Sequence, residues 1–331
     1  MAMNSSEVLE YAVEISPFYN AFVMILFILT IFIIAFGNIM VIVAALKERK
    51  LRTQSYIIFT SLAVSDLCIG LIGAPLVLYT RMIQNKITCS VAKSVYFTAW
   101  IYMLVYVSIV HIVLITADRL ISLTKPLHYP SLVTTRRVRI VVFFVWAGGI
   151  TYGIVSVIES GNREDNTLTQ FCTGERYTSE STRNFFVGSA SYILFSSVIL
   201  MLLNFLILRI AFNHFRRMQQ HAIGPPRQAW QGGQGHQQYK AAKTTVFVVG
   251  TFCIGWFPTS IWFYLRVLVP ISHIGQVILF DIAFYIATLS SAANPLIYCF
   301  KDNLFRRTFC KIFPPLLKLL ENTRFRVDIQ I

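Results

Sequence analysis

The chain has 331 residues, of which 56% are hydrophobic and only 13% are charged. Because a soluble domain carries about 25% charged residues, this composition excludes an ordinary soluble enzyme or binding domain. The formal net charge of +14 would suit a nucleic-acid-binding protein, but the positions of the charges along the chain argue against that class.

Seven apolar stretches follow one another along the chain, and each is long enough to cross a bilayer, which takes about 20 residues. In chain order they are Ile15–Leu46, Thr53–Thr80 (broken only by Asp66), Ser94–Ala117, Ile140–Ile158, Asn184–Leu208, Thr244–Leu265 and Ile282–Phe300. The predicted fold is an all-α membrane protein, a seven-transmembrane helix bundle in one domain. Residues 1–17 precede the bundle, residues 18–300 form it, and residues 301–331 follow it.

The charges show a strong bias between the two faces of this bundle. One set of loops and the carboxy-terminal segment hold 22 basic and five acidic residues, whereas the opposite face has seven basic and nine acidic residues. Because Lys and Arg accumulate in cytoplasmic loops, the amino terminus is predicted outside the cell and the carboxy terminus inside. The basic inner face suits anionic lipid headgroups, so membrane lipids are expected partners and nucleic acid is not.

The two terminal segments carry modification signals. Asn4-Ser5-Ser6 is a glycosylation sequon on the predicted outer face. After Phe300, residues 302–309 place Phe and Leu among cations, which predicts a short amphipathic helix on the inner leaflet. Cys310, at the end of this segment, is a candidate palmitoylation site.

Polar residues inside the apolar stretches are the candidate functional residues. A carboxylate such as Asp66 is costly within a membrane, so it is expected to face the bundle interior. It either serves a functional role or, protonated and hydrogen-bonded, only ties helices together. Asp118-Arg119-Leu120 follows the third stretch directly and is either a functional pair or simply solvated charge. His111, in the third stretch, is expected to be packed or hydrogen-bonded rather than a ligand.

Two stretches contain proline, which removes a backbone hydrogen bond and kinks a helix. The sixth has Trp256-Phe257-Pro258, where a large aromatic side chain lies next to the kink. The seventh has Asn294-Pro295, followed by Tyr298. Both helices are therefore predicted to be able to pivot.

Together these motifs resemble those of rhodopsin-like (class A) G-protein-coupled receptors, and the resemblance covers residues 18–313. The motifs are Gly37-Asn38, Leu62-Ala63-Val64-Ser65-Asp66, Asp118-Arg119-Leu120, Trp146, Trp256-Phe257-Pro258 and Asn294-Pro295-Leu296-Ile297-Tyr298. The resemblance implies a receptor that passes an extracellular ligand signal to a heterotrimeric G protein by outward movement of helix 6, with arrestin as a second partner. It implies no enzymatic activity and no required cofactor.

The resemblance also implies roles for individual residues. Arg119 matches the arginine that meets the G protein, Asp118 matches its resting partner, and Leu120 replaces the usual tyrosine. The implied activation switch consists of Trp256, Pro258, Asn294, Pro295 and Tyr298. The implied site for a modulating sodium ion, which prefers oxygen ligands, consists of Asp66, Ser108, Ser291 and Asn294. Gln238 stands where many relatives have a glutamate that pairs with the helix 3 arginine.

On the outer side, the resemblance implies a disulfide and a ligand pocket. Cys89 and Cys172 match the family's disulfide, and the alternative is two free thiols. The implied pocket is lined by Ile101, Tyr102, Val105, Thr259, Ser260, Phe263, Phe284 and Thr288. Because it lacks a counter-charge, the expected ligand is an uncharged small molecule, a lipid or a peptide. The alternative is a receptor without a ligand, which acts through basal activity or by pairing with another receptor.

Several classes are disfavoured by missing residues. The motifs of metalloproteases, serine hydrolases and P-loop enzymes do not occur, and a channel would need intramembrane charges besides Asp66. An opsin needs a lysine within Ile282–Phe300, and an amine receptor needs an acid within Ser94–Ala117, where Ile101 occupies the matching position. Pro126-Leu127-His128-Tyr129 resembles the second inside loop of adenosine receptors, and the absence of proline from helix 5 resembles melanocortin and cannabinoid receptors. The resemblance implies that broad branch, with a ligand other than adenosine.

Overall fold

A computed structural model describes residues 16–82, 95–161, 180–221, 234–269 and 272–314. The described residues form helices and no strand. The helices are α1 (Pro17–Lys47), α2 (Gln54–Cys68, continued by a wider π-type turn at Ile69–Gly73 and by Ala74–Met82), α3 (Val95–Thr124), α4 (Thr135–Gly161), α5 (Glu180–His221), α6 (Gln234–Leu268), α7 (His273–Lys301) and α8 (Asn303–Ile312).

The seven predicted membrane-spanning helices are confirmed as α1 to α7, but their ends differ from the apolar stretches. The largest difference is in α7, which starts at His273 and not at Ile282. Ser272 caps this helix, because its hydroxyl accepts a hydrogen bond from the Gly275 N–H at 3.2 Å. Asp281 therefore lies inside α7. A charge near a helix end interrupts an apolar stretch without ending the helix.

Small residues bring the helices close together at the centre of the bundle. A Cβ atom added to Gly37 of α1 would lie only 2.9 Å from Pro295 of α7. A Cβ atom added to Gly255 of α6 would lie 2.7 Å from Ser290 of α7. Glycine at these contacts allows the close backbone approach that membrane helices use for packing, so α7 is held tightly between α1 and α6.

The side chains divide into a buried interior and an apolar outer surface. Phe195 on α5 and Phe143 on α4 are 68% and 66% exposed, as expected of residues that face lipid. The predicted amphipathic segment is a helix, α8, whose Phe305 and Phe309 are buried against the bundle. Asp302 begins α8, because its Oδ1 accepts hydrogen bonds from the N–H groups of Leu304 and Phe305 at 2.8 and 3.2 Å.

Candidate functional site

Asp66 of α2 lies at the centre of the bundle and is only 2% exposed. Ser291 donates its hydroxyl proton to Asp66 Oδ1 at 2.7 Å, and Asn294 donates from Nδ2 to Asp66 Oδ2, also at 2.7 Å. Nearby, the hydroxyls of Ser65 and Ser108 lie 2.9 Å apart. The carboxylate thus ties α2 to α7, while a functional role for it stays open.

A small cavity adjoins Asp66. Its volume, measured as the space open to the centre of a water molecule, is about 10 Å³. That is close to the minimum for one water molecule, and so for one ion of similar size. The lining residues are Leu62, Asp66, Ser108, Ile112, Phe252, Trp256, Ser290, Ser291 and Asn294. Oxygens of Asp66, Ser108 and Ser291 fit a hard cation such as sodium. Asn294 presents its amide nitrogen to Asp66, so its carbonyl oxygen would bind an ion only in another orientation. Sodium binding stays a prediction.

Proline in α7 creates a backbone acceptor that α1 uses. Pro295 has no N–H, so the carbonyl of Ser291, four residues earlier, has no intrahelical donor. The buried Asn38 donates from Nδ2 to this carbonyl at 3.3 Å and to the carbonyl of Ile34 at 3.0 Å. The Gly37-Asn38 and Asn294-Pro295 motifs therefore meet where α1 lies against α7, with Gly37 next to Pro295 and Asn38 on the carbonyl that Pro295 leaves without a donor.

The aromatic side chain of α6 lies on the same cavity. Trp256 is buried, and its ring centroid is 6.2 Å from that of Phe252. Two residues later, Pro258 deprives the Ile254 carbonyl of its helical donor. A movement of α6 about this proline would thus shift Trp256 against Ser290, Ser291 and the rest of the cavity wall, as the predicted activation switch requires.

At the inner end of α3, Asp118 and Arg119 form a salt bridge of 2.7 Å. Asp118 is 4% exposed, so the alternative of a merely solvated pair is wrong. Ser55 of α2 donates to Asp118 Oδ2 at 2.8 Å and also accepts a hydrogen bond from Arg119. Tyr129 donates to Asp118 Oδ1 at 2.6 Å. Both carboxylate oxygens are engaged, and the pair is held by two elements outside α3.

Tyr129 was not identified from the sequence. It lies in a short helical turn, Tyr129–Leu132, in the loop after α3. Burial and the neighbouring Asp118 raise the pKa of Tyr129 to about 12, which keeps its hydroxyl a hydrogen-bond donor. The sequence contained one signal for this contact: Tyr129 follows Asp118, an acid at a helix end, after a loop short enough to fold back on that end.

The inner end of α6 has a contact with α7. Lys301 Nζ lies 4.3 Å from the centroid of the Phe247 ring, within the range of a cation–π interaction. Gln238, the residue at the glutamate position, is in α6, but its side chain lies outside the described residues. The Lys301–Phe247 contact therefore joins the two kinked helices at the face predicted to open.

The structure divides the predicted pocket residues between two clusters. Val105 and Phe263 pack in the main core, whereas Phe284 belongs to a separate cluster with Phe27. The hydroxyls of Thr259, Ser260 and Thr288 donate to the backbone carbonyls of Ala283, Phe257 and Tyr285 at 3.3, 2.8 and 2.8 Å. The side chains of Ile101 and Tyr102 lie outside the described residues. The eight residues are thus not shown to line one pocket.

A third buried carboxylate, after Asp66 and Asp118, lies in the outer half of the bundle. Asp281 of α7 is 4% exposed, and the Tyr19 hydroxyl donates to its Oδ2 at 3.1 Å. The prediction that Asp66 is the one intramembrane charge is therefore wrong. A buried cation, Arg266 of α6, also lies in this half; it donates to Gln276 at 2.7 Å and lies 5.5 Å from the centroid of the Trp262 ring. Both charges were missed because the apolar stretches were ended at them.

His111 is buried and hydrogen-bonded, in agreement with the simpler of its two interpretations. Its Nδ1 lies 2.7 Å from the Val107 carbonyl oxygen, so Nδ1 carries the proton and donates it. Its Nε2 lies 2.7 Å from the Ser61 hydroxyl, which also accepts from the Trp146 indole at 3.0 Å. This network joins α2, α3 and α4.

The remaining predicted sites concern modification. Asn4, Cys89 and Cys172 lie outside the described residues, so glycosylation and the disulfide stay predictions. Cys310 is described and is 5% exposed, on the face of α8 that packs against the bundle. Its acylation stays a prediction as well, and it would require the thiol to turn away from this packing.

Comparison with known proteins gives consistent matches. The family model described as 7 transmembrane receptor (rhodopsin family) matches residues 37–298, which contain all the motifs described above. The chain is 27% identical over 300 residues to the histamine H2 receptor of Cavia porcellus, covering 89% of this chain and 80% of that protein. It is 26% identical over 337 residues to the octopamine receptor beta-1R of Drosophila melanogaster, covering 88% and 62%. It is 28% identical over 280 residues to the histamine H2 receptor of Rattus norvegicus, covering 84% and 75%.

Proposed function

Because the chain belongs to the rhodopsin family of seven-transmembrane receptors, it is a G-protein-coupled receptor and not an enzyme, and we propose that it lies in the plasma membrane with its amino terminus outside. Seven crossings put the two termini on opposite sides of the membrane. The 22 basic residues on the side of the carboxy terminus support a cytoplasmic location for that side.

An extracellular ligand is proposed to favour a state in which the inner half of α6 moves outward and Arg119 contacts the G protein. The single observation that carries this proposal is the inner-end pair, in which Asp118 and Ser55 hold Arg119 in place. Arg119 can meet a partner only when this arrangement opens. The hinge is proposed at Pro258, and arrestin is proposed to use the same opened face.

Sodium is proposed as a modulator held between α2, α3 and α7. Its support is the cavity next to Asp66 and the oxygens of Ser108 and Ser291 that border it. The ion would bring a positive charge to a carboxylate whose hydrogen-bond donors among the described residues, Ser291 and Asn294, are neutral. It would thereby favour whichever conformation keeps the cavity intact.

The ligand class is a separate question. The relatives are named for histamine and octopamine, which are organic amines. In this chain Ser94–Ala117 contains no acid, so an amine would need a carboxylate elsewhere in the outer half of the bundle. An uncharged molecule, a lipid or a peptide would not need one.

The coupling proposal is tested with Arg119→Ala in membranes from transfected cells. Receptor-dependent nucleotide exchange on added G protein, basal and in response to a ligand library, is expected to be lost while surface expression persists. Arg139→Ala is the matched control, because it removes an exposed cation from the same face and should leave exchange unchanged. Exchange by Arg119→Ala at the parental rate would reject the role of this residue.

A further inference from the structure

Eight aromatic and aliphatic side chains form a cluster at the outer ends of α1, α2 and α7. Its members are Val23, Phe27, Val77 and Phe284, with Tyr19, Leu78, Phe280 and Tyr285 packed against them. The Phe284 ring is stacked on Phe280 and on Phe27, with centroids 5.6 and 5.9 Å apart, and Tyr285 meets Phe27 edge-on at 5.4 Å. We name this group the outer aromatic cluster. Tyr19, Phe280 and Tyr285 are half-buried, so its edge is accessible.

Asp281 adjoins the outer aromatic cluster. It lies three and four residues before Phe284 and Tyr285, and so on the same face of α7. Its Oδ2 accepts a hydrogen bond from the hydroxyl of Tyr19, a member of the cluster. A carboxylate at this depth is costly unless it has a function or compensating partners. Here it lies next to several aromatic rings.

Three acids are buried among the described residues, namely Asp66, Asp118 and Asp281. Asp66 lies at the centre, where Ser291 and Asn294 use both its oxygens. Asp118 lies at the inner end and pairs with Arg119. Asp281 is thus the buried carboxylate of the outer half, the half that a ligand from outside the cell reaches first.

We infer that Asp281 and the outer aromatic cluster form a binding subsite for an organic ammonium group. This inference rests on the proposed function of the chain as a ligand-activated receptor. The carboxylate supplies the opposite charge, and the half-buried rings of Phe280 and Tyr285 supply the cation–π surface on which ammonium ligands bind. This inference predicts a cationic ligand, whereas the sequence predicted an uncharged molecule, a lipid or a peptide. It also places the counter-charge of the ligand on α7, whereas amine receptors are expected to have it on helix 3.

A purely structural role for Asp281 is the competing explanation. Tyr19 already donates to it, and Arg266 lies in the same outer half of the bundle, against Trp262, whose ring centroid is 4.9 Å from that of Phe280. A structural carboxylate would affect folding but not the discrimination between charged and neutral ligands. The test must therefore compare ligands of equal shape and different charge.

The experiment uses the purified full-length receptor and its thermal unfolding as a binding readout that needs no G protein. The probes are histamine, octopamine and tyramine, each paired with the neutral analogue in which a hydroxyl replaces the amine. At least one amine is expected to raise the unfolding temperature while its analogue does not. Asp281→Asn is expected to weaken that amine about tenfold or more, because it removes a charge-assisted contact. Phe280→Leu should weaken it as well, because it removes a half-buried ring next to Asp281.

Glu48→Gln is the control, because it neutralises an acid at the inner end of α1, far from the cluster, and should leave amine binding unchanged. If Asp281→Asn does not fold, Phe280→Leu decides the matter, and parental amine affinity in this variant overturns the inference. Equal stabilisation by amines and their neutral analogues, or by none of the probes, also overturns it. Failure of the proposed function looks different: amines bind through Asp281, but neither basal nor ligand-driven nucleotide exchange occurs.

Discussion

Removing the hydroxyl of Tyr129 tests whether the inner-end arrangement maintains the resting state. Tyr129→Phe keeps the ring but takes away the donor that lies 2.6 Å from Asp118 Oδ1. Hydrogen bonds to charged groups contribute about 1.5–3 kcal/mol when buried. Tyr129 is half-buried and water can replace part of the interaction, so about 1 kcal/mol is expected here, a roughly fivefold shift in a two-state equilibrium.

If about 1% of the parental receptor is active without ligand, the variant should have about 5% active. The assay is basal nucleotide exchange on added G protein, normalised to receptor number at the cell surface. Tyr152→Phe is the matched control, because this half-buried tyrosine of α4 stacks on Tyr106, centroids 5.7 Å apart, and Tyr106 lies about three helical turns along α3 from Asp118. An unchanged basal rate in Tyr129→Phe, at equal expression, would refute the reasoning.

The hydrogen bond between Tyr129 and Asp118 also predicts how basal activity depends on pH. The pKa of Tyr129 is raised from 10.0 to about 12, so the stabilisation from its protonated hydroxyl is complete below pH 10 and is lost as the pH rises towards 12. Between about pH 6 and pH 9, below both of these pKa values, this residue should contribute no pH dependence. Any basal increase in Tyr129→Phe should therefore be equal across that range.

Three further predictions concern the centre and the inner half of the bundle. Asp66→Asn should abolish any effect of sodium on ligand affinity and on basal exchange, since it removes the charge that faces the cavity; an equal sodium effect in mutant and parent would show that the site is wrongly assigned. Gln238→Glu should lower basal exchange, because a charge-assisted bond to Arg119 is about twice as strong as a neutral one; no change in a well-expressed variant would count against this. Phe247→Leu should raise basal exchange about two- to fivefold, because it removes a cation–π contact worth roughly 0.5–1 kcal/mol; a rate equal to that of the parent would mean that Lys301 does not restrain α6.

The seven helices could be predicted because a bilayer imposes a simple rule, about 20 residues without charge. The same rule failed at Asp281 and Arg266. A charge in the outer turns of a helix is tolerated when other side chains surround it, and an apolar count takes no account of such neighbours. The start of α7 depends on the Ser272 cap, a short-range signal within a polar stretch that lies outside any apolar count.

The residues of the candidate site likewise divide into those that the sequence predicted and those that only the structure shows. Asp66, Arg119 and the two proline motifs were found because each is unusual for its surroundings. Tyr129 and Ser55 are ordinary residues at helix ends, and only the folded chain brings them to Asp118. The pairing of Asn38 with the carbonyl of Ser291 was likewise out of reach, since it requires knowing that α1 lies against α7.

The contacts of Asp66 and Asn38 also have a consequence for how the receptor is made. Asp66 is completed by residues 225 and 228 positions later, and Asn38 by one 253 positions later. At about 5–20 residues per second, a ribosome needs roughly 10–50 s to supply them. Until α7 is inserted, the Asp66 carboxyl lacks its two α7 donors and the Asn38 amide is bonded within α1 to Ile34 but not to Ser291, and polar groups exposed to hydrocarbon are costly. Chains that stop before Ser291 should therefore be retained and degraded during biosynthesis, and the last helix acts as the signal that the molecule is complete.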